Sequence, residues 1–158
     1  MRSLRLVAFI ACAVLFLTPF SASVAHAAIE TAATIPTSAL IQPAKLAEML
    51  HAEGSPPVIL QVGFSVLYTE AHIPGAQYVG PSSKQTGIQN LKTHVASLPH
   101  GQLIIIYCGC CPWSHCPNVA PAYDQLRALG FTNVKVLYLA DNFGADWVNK
   151  GYPVLRGD

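Results

Sequence analysis

Four cysteines, Cys108, Cys110, Cys111 and Cys116, fall within nine residues of a 158-residue chain. A thiolate is both a nucleophile and a soft-metal ligand, so thiols at this density call for a chemical explanation. The segment Cys108-Gly109-Cys110-Cys111-Pro112-Trp113-Ser114-His115-Cys116-Pro117-Asn118 admits three. Cys108 can act as a nucleophile whose product a neighbouring thiol resolves as a disulfide. Cys108, Cys110, Cys111 and Cys116, with His115, can hold Cu(I) or Zn. Or one or two disulfides staple a long loop on a non-catalytic binding domain. Adjacent Cys110 and Cys111 are poorly placed to bond each other, which leaves pairings such as 108–111 or 110–116. The spacing lacks a second C-x2-C pair for a standard structural zinc site, and no C-x-x-C-H attaches a c-type haem. No cofactor is expected.

The elements around the segment position it. Leu103-Ile104-Ile105-Ile106-Tyr107 is an unbroken apolar run, as in a parallel strand covered on both faces. Val119–Leu129 has helical spacing and ends at Gly130, and Pro121 confines its start to about 118–121. Cys108 therefore stands where an α/β sheet offers its site, beyond a strand's carboxyl end and before a helix N-terminus. Free backbone N–H groups there favour a thiolate and would hold the anionic terminal sulfur of a persulfide.

Elsewhere the pattern predicts a helix over 43–53, a short strand over 58–62, a helical turn or two over 64–70 and a turn at Pro74-Gly75. It further predicts a helix over 88–98, a strand over 134–139 and a short last helix over 146–150. Strands alternating with helices define one α/β domain with a central, mostly parallel sheet. Residues 28–41, rich in Ala, Thr, Ser and Pro, read as a linker to a domain spanning 42–158.

The composition is 52% hydrophobic and 11% charged, with a net charge of +1. Much of the apolar excess lies at the start. Arg2 and Arg5 precede the apolar run 6–17, which includes Cys12, and Ala25-His26-Ala27 forms an A-x-A site. This is the layout of a secretory signal peptide over residues 1–27, and the run is shorter than the roughly 20 residues of a membrane span. The expected location is periplasmic or secreted, with no stable membrane span after cleavage. Removing residues 1–27 leaves seven basic and eight acidic residues. That near-neutral balance excludes a binder of nucleic acid or of an anionic membrane surface through a basic face.

Four further segments carry a family likeness. His72-Ile73-Pro74-Gly75-Ala76 resembles the Gly-His-Ile-Pro-Gly-Ala segment of rhodanese-like domains, with Ala71 in place of the first glycine. The strand 103–107 with Cys108 resembles their strand and catalytic cysteine. Leu126-Arg127-Ala128-Leu129-Gly130-Phe131 with Val134 and Val136, and Asp146-Trp147 through Gly151-Tyr152-Pro153-Val154, match later family segments. The resemblance implies a three-layer α/β/α domain and sulfurtransferase activity through a persulfide on Cys108. Cys110, Cys111 or Cys116 would then resolve it, with a small sulfur donor or a protein thiol as partner. It also implies that His72 packs against the sheet as a structural residue.

The chain departs from the family in two places. The family's Asp and Arg at the end of the first long strand are Gln61 and Gly63 here, and the cysteine loop is longer and carries no arginine between 64 and 126. A thiosulfate-type dianion therefore lacks its usual clamp, and a cysteine phosphatase, which needs an arginine in this loop, is excluded. His115 is expected to tune a thiol or bind metal, and Trp113 to lid the loop, pack under it or form part of a substrate surface. Glu70 is the acid nearest the expected pocket mouth, and Asp141 and Asn142 are placed on its rim. His51, His94 and His100 have no assigned partners.

Overall fold

The computed structural model describes residues 35–157 apart from Glu53. The expected signal peptide, and the expected linker up to residue 34, lie outside the described residues.

The apolar run at the centre of the sequence forms β4 (Ile104–Tyr107), every residue of which is buried. It lies in the middle of a five-stranded sheet with β1 (Leu40–Ile41), β2 (Val58–Gln61), β3 (Ala76–Tyr78) and β5 (Val134–Leu137), in the order β1-β5-β4-β2-β3. Each neighbouring pair is parallel, with Ile105 opposite both Ile59 and Lys135. Parallel pairing requires crossover helices, and helices on both faces explain why β4 has no polar side.

Alternation along the strands divides the core in two. Leu60, Ile104, Ile106 and Val136 face α3 (Gln85–Val95) and α4 (Val119–Ala128). Ile59, Ile105, Tyr107 and Leu137 face α1 (Pro43–His51) and α5 (Phe143–Asp146), with Trp147 fully buried among them. The result is the expected three-layer α/β/α arrangement. Each buried aliphatic side chain contributes about 1.5–3 kcal/mol, and truncating one such as Ile105 to alanine costs ~2–5 kcal/mol.

Helix boundaries follow local chemistry. Pro43 opens α1 at its first position, where its missing N–H is not needed. At the other end of the domain, Gly130 (φ +88°) closes α4. Gly130 N–H bonds Arg127 O and Phe131 N–H bonds Leu126 O, satisfying the last carbonyls of the helix.

Two expectations need correction, and one strand is added beyond a turn that stands where it was expected. Residues 35–41 are part of the domain rather than a linker: Ile35 and Ala39 are buried, and Leu40–Ile41 pairs with Val136–Leu137 as the edge strand. The turn at Pro74-Gly75 leads directly into β3, which pairs with β2. The last helix begins at Phe143, because Asn142 Oδ1 accepts the Ala145 N–H at 2.9 Å and caps it there. Val148–Lys150 forms a separate 3-10 turn. Among the described residues, no helix is long and apolar enough to cross a membrane.

Candidate functional site

β4 ends at Tyr107, and the chain turns at Gly109 (φ +94°) into the cysteine loop. Gly109 serves two purposes there. Its positive φ suits glycine, and a Cβ on it would lie 3.1 Å from Phe143 Cβ. Gly109 O accepts the Phe143 N–H at 3.1 Å, which docks the loop on the start of α5. Further along, Trp113 donates its backbone N–H to Leu139 O, and its half-buried ring packs against the core beside Tyr138. Of its expected roles, Trp113 takes the packing one and holds the loop down.

Cys108 is buried, and its Sγ receives the Asn118 Nδ2–H at 3.3 Å. Asn118 occupies the N-cap position of α4 yet makes no side-chain cap. Its Oδ1 instead accepts the Ser83 N–H at 2.9 Å, so the amide's donor end must point at the sulfur. This fully buried amide is fixed between two segments of the chain.

The other sulfurs radiate from Cys110. Cys110 Sγ lies 3.4 Å from Cys108 Sγ, 2.9 Å from Cys111 Sγ and 3.8 Å from Cys116 Sγ. Of the two pairings expected from spacing, 110–116 is close, while 108–111 is not among the sulfur contacts of the described residues. His115 is exposed and turns its Nδ1 to Ser114 Oγ at 3.0 Å, away from the thiols. Among the described residues, Cys108, Cys110 and Cys116 form the one group of potential metal ligands, all within 4.8 Å of one another.

The thiols titrate as a unit in which one carries the charge. The Cys116 thiol, whose sulfur lies within 4.8 Å of Cys108 Sγ, contributes most to holding the Cys108 pKa down to about 6. Burial opposes this, and the Cys110 backbone N–H, the Asn118 amide and the Cys110 thiol add to it. Cys110, although exposed at the loop surface, is pushed up to about 12, first by partial desolvation of its sulfur and then by Cys111 and Cys108. Cys116 is pushed far above the usual thiol range because its proton serves Cys108 and because it is buried. At neutral pH the group is one thiolate supported by S–H and N–H donors.

Two substitutions relative to the family pattern lie against this thiolate. Gln61 is 1% exposed. Its Nε2 donates to Cys108 O at 2.9 Å and its Oε1 accepts the Gly63 N–H at 3.2 Å, tying the end of β2 to the start of the loop. At Gly63 a Cβ would meet Cys108 Sγ at 2.7 Å and Cys108 O at 2.8 Å. The position that carries arginine in the family pattern is filled here by the cysteine itself.

A pocket of about 430 Å³ opens beside Cys108, lined by Gln61, Glu70, Tyr107, Cys110, Asn142 and Phe143 among others. Glu70 and Asn142 thus lie where they were expected, whereas Asp141 is not in the lining and donates its backbone N–H to Asp146 Oδ2. Arg156 is the cation in its lining and was not expected from the sequence. The C-terminal segment delivers it: His72 and Leu155 exchange backbone hydrogen bonds at 2.9 Å, and Gly157 N–H bonds Thr69 O. Arg156 Nη1 then reaches Glu70 O at 2.7 Å. His72 itself is buried, stacked on Tyr68 at 3.9 Å, with Nδ1 2.9 Å from Tyr68 O.

Three of these residues carried weak signals in the sequence. Gln61 is a polar residue in an apolar strand, Asn118 reads as an ordinary cap, and Arg156 lies two residues beyond the Tyr-Pro-Val segment. His51 and His94 lie on α1 and α3, and His100 packs on Phe131, all apart from this pocket.

A central parallel sheet that presents a stabilised thiolate beyond a strand's carboxyl end defines a thiol-bearing three-layer α/β domain. The family model of the rhodanese-like domain matches residues 42–139, and the chain belongs to that family. Comparison with curated proteins finds no match. Among solved structures, the chain is similar to the Alr3790 protein from Anabaena sp. (23% identity, TM-score 0.56, covering 74% of this chain and 92% of that one). It is also similar to the BH2092 protein from Bacillus halodurans (23%, 0.58, 75% and 77%). A third is the protein hp1203 from Helicobacter pylori 26695 (13%, 0.52, 77% and 92%). At these identities the likeness is one of fold.

Proposed function

We propose that the protein is an exported sulfur-transfer enzyme in which Cys108 carries a persulfide. The observation that carries this is a buried cysteine at the end of β4, held as thiolate by neighbouring donors and open to a pocket. The Cys108 thiolate attacks the outer sulfur of a donor. The Sγ–S bond forms, the donor's sulfur–sulfur bond breaks, and the rest of the donor, sulfite from thiosulfate or a thiolate from a persulfide, leaves with the electron pair. A small acceptor or a protein thiol then takes the outer sulfur and restores the Cys108 thiolate.

Cys110 provides a second exit. Once deprotonated it attacks Cys108 Sγ, forming a disulfide and expelling hydrosulfide. The two cysteines are thereby oxidised and the transferred sulfur is reduced. Arg156 gives the pocket a positive group where the loop supplies none, which suits an anionic donor. Thiocyanate formation with cyanide as acceptor, or sulfide release with a dithiol as acceptor, from an anionic sulfane-sulfur donor, abolished by Cys108→Ser, tests the activity. No turnover with any sulfane-sulfur donor would refute it. Export rests on the charged and apolar pattern of residues 1–27, and a periplasmic or secreted product beginning at Ala28 is its test.

A further inference from the structure

Persulfide transfer uses one nucleophile and at most one resolving thiol, and this loop holds four. Three converge. Cys110 Sγ stands 3.4 Å from Cys108 and 3.8 Å from Cys116, and all three sulfurs lie within 4.8 Å of one another. Three thiolates about 2.3 Å from a common ion stand ~4 Å apart in a trigonal plane. The triangle is therefore close to the size of an occupied site. We propose that Cys108, Cys110 and Cys116 bind one Cu(I) ion as a three-thiolate centre, and that its binding closes Cys108 to sulfur chemistry.

The donor set selects the ion. It contains sulfur alone, which favours soft cations such as Cu(I) and Zn. A structural zinc ion requires a fourth protein ligand. His115 is turned to Ser114, and Cys111 touches Cys110 alone among these sulfurs, so neither completes the set. Three-coordinate Cu(I) needs no fourth ligand.

The framework is prepared for such a centre. Cys108 and Cys116 are buried on the ends of β4 and the turn before α4, while exposed Cys110 lines the pocket and gives the ion a route in. Pro112 and Pro117 restrict the loop between them. The Asn118 Nδ2–H already bonds Cys108 Sγ, an outer-shell donor to a ligating sulfur. Binding releases the remaining thiol protons of the three cysteines to solvent and transfers no electron, because the copper arrives as Cu(I).

The test is an anaerobic titration of the reduced mature protein with cuprous ion delivered as its acetonitrile complex, against a chromophoric Cu(I) chelator. Copper X-ray absorption and alkylation of Cys108 are followed in parallel. One ion per chain, three sulfur neighbours and loss of Cys108 alkylation are expected. Cys110→Ser and Cys116→Ser should each weaken binding at least tenfold, whereas Cys111→Ser and His115→Ala leave it unchanged. Asn118→Ala should weaken it by about tenfold while all three ligands remain. Near-UV circular dichroism of each variant establishes that it is folded. The proposal is overturned by failure to compete with the chelator, by undiminished binding in folded Cys116→Ser, by dependence on Cys111 or His115, or by zinc held in preference. None of these outcomes bears on persulfide formation by the metal-free protein, which uses Cys108 alone.

Discussion

Asn118 Nδ2 donates to Cys108 Sγ at 3.3 Å while the same amide's Oδ1 accepts the Ser83 N–H at 2.9 Å. A residue at the start of a helix is thus engaged in orienting a donor at the thiolate instead of capping. Asn118→Ala removes both bonds. A hydrogen bond to a charged group contributes roughly 1.5–3 kcal/mol and one pKa unit is 1.36 kcal/mol, so the Cys108 pKa should rise by about one to two units. The unpaired Ser83 N–H should also lower stability by ~1–3 kcal/mol. Thiol titration by alkylation rate and thermal unfolding measure the two effects separately.

The thiolate sets a pH dependence of definite sign. With its pKa lowered to about 6, Cys108 should alkylate at a pH-independent rate at neutrality and above. Below its pKa the rate should fall about tenfold per unit as the thiolate is protonated. Because Cys116 is the main cause of the lowering, Cys116→Ala should move the half-point up toward the ordinary value of 9.0. A half-point unchanged in that variant would show that another group holds the charge.

Gly63 is defined by what surrounds it. A Cβ there falls 2.7 Å from Cys108 Sγ and 2.9 Å from Gln61 Nε2. Gly63→Ala must push the cysteine or the Gln61 amide out of place, at a cost of typically ~1–3 kcal/mol. It should slow Cys108 alkylation as well as lower the melting temperature. An arginine at this position, as in the family pattern, should be tolerated less well still.

Arg156 makes a charge-dependent prediction. Arg156→Gln should raise KM several-fold for an anionic donor such as thiosulfate and leave alkylation by neutral iodoacetamide unchanged. The wild-type preference should also weaken with added salt, because the guanidinium is exposed. Steady-state kinetics at two ionic strengths would check both.

How far the sequence announced this arrangement varies with the range of the interaction. β4 was legible because Ile104–Ile106 is continuous and branched, and α4 because Pro121 and Gly130 bracket it. Those signals are local. β1 and β3, two and three residues long, are strands only because Val136–Leu137 and Ile59–Gln61 lie beside them. Polar, small and proline-rich surroundings concealed both.

At the site, the position of Cys108 followed from strand and helix order, while its partners did not. Asn118 is ten residues from Cys108, Gln61 is forty-seven, and Arg156 reaches the pocket only because Leu155 pairs with His72. The loop's lack of arginine is visible in the sequence itself. The cation at the far end of the chain, brought to the same pocket, could be seen only in the folded structure.

The most direct test is the intact mass of the reduced, metal-free protein after incubation with a sulfane-sulfur donor and removal of the excess. The account predicts one added sulfur atom per chain, removed by dithiothreitol, present in Cys111→Ser and absent in folded Cys108→Ser. An adduct that persists in Cys108→Ser, or no adduct while Cys108 alkylates freely, would contradict it.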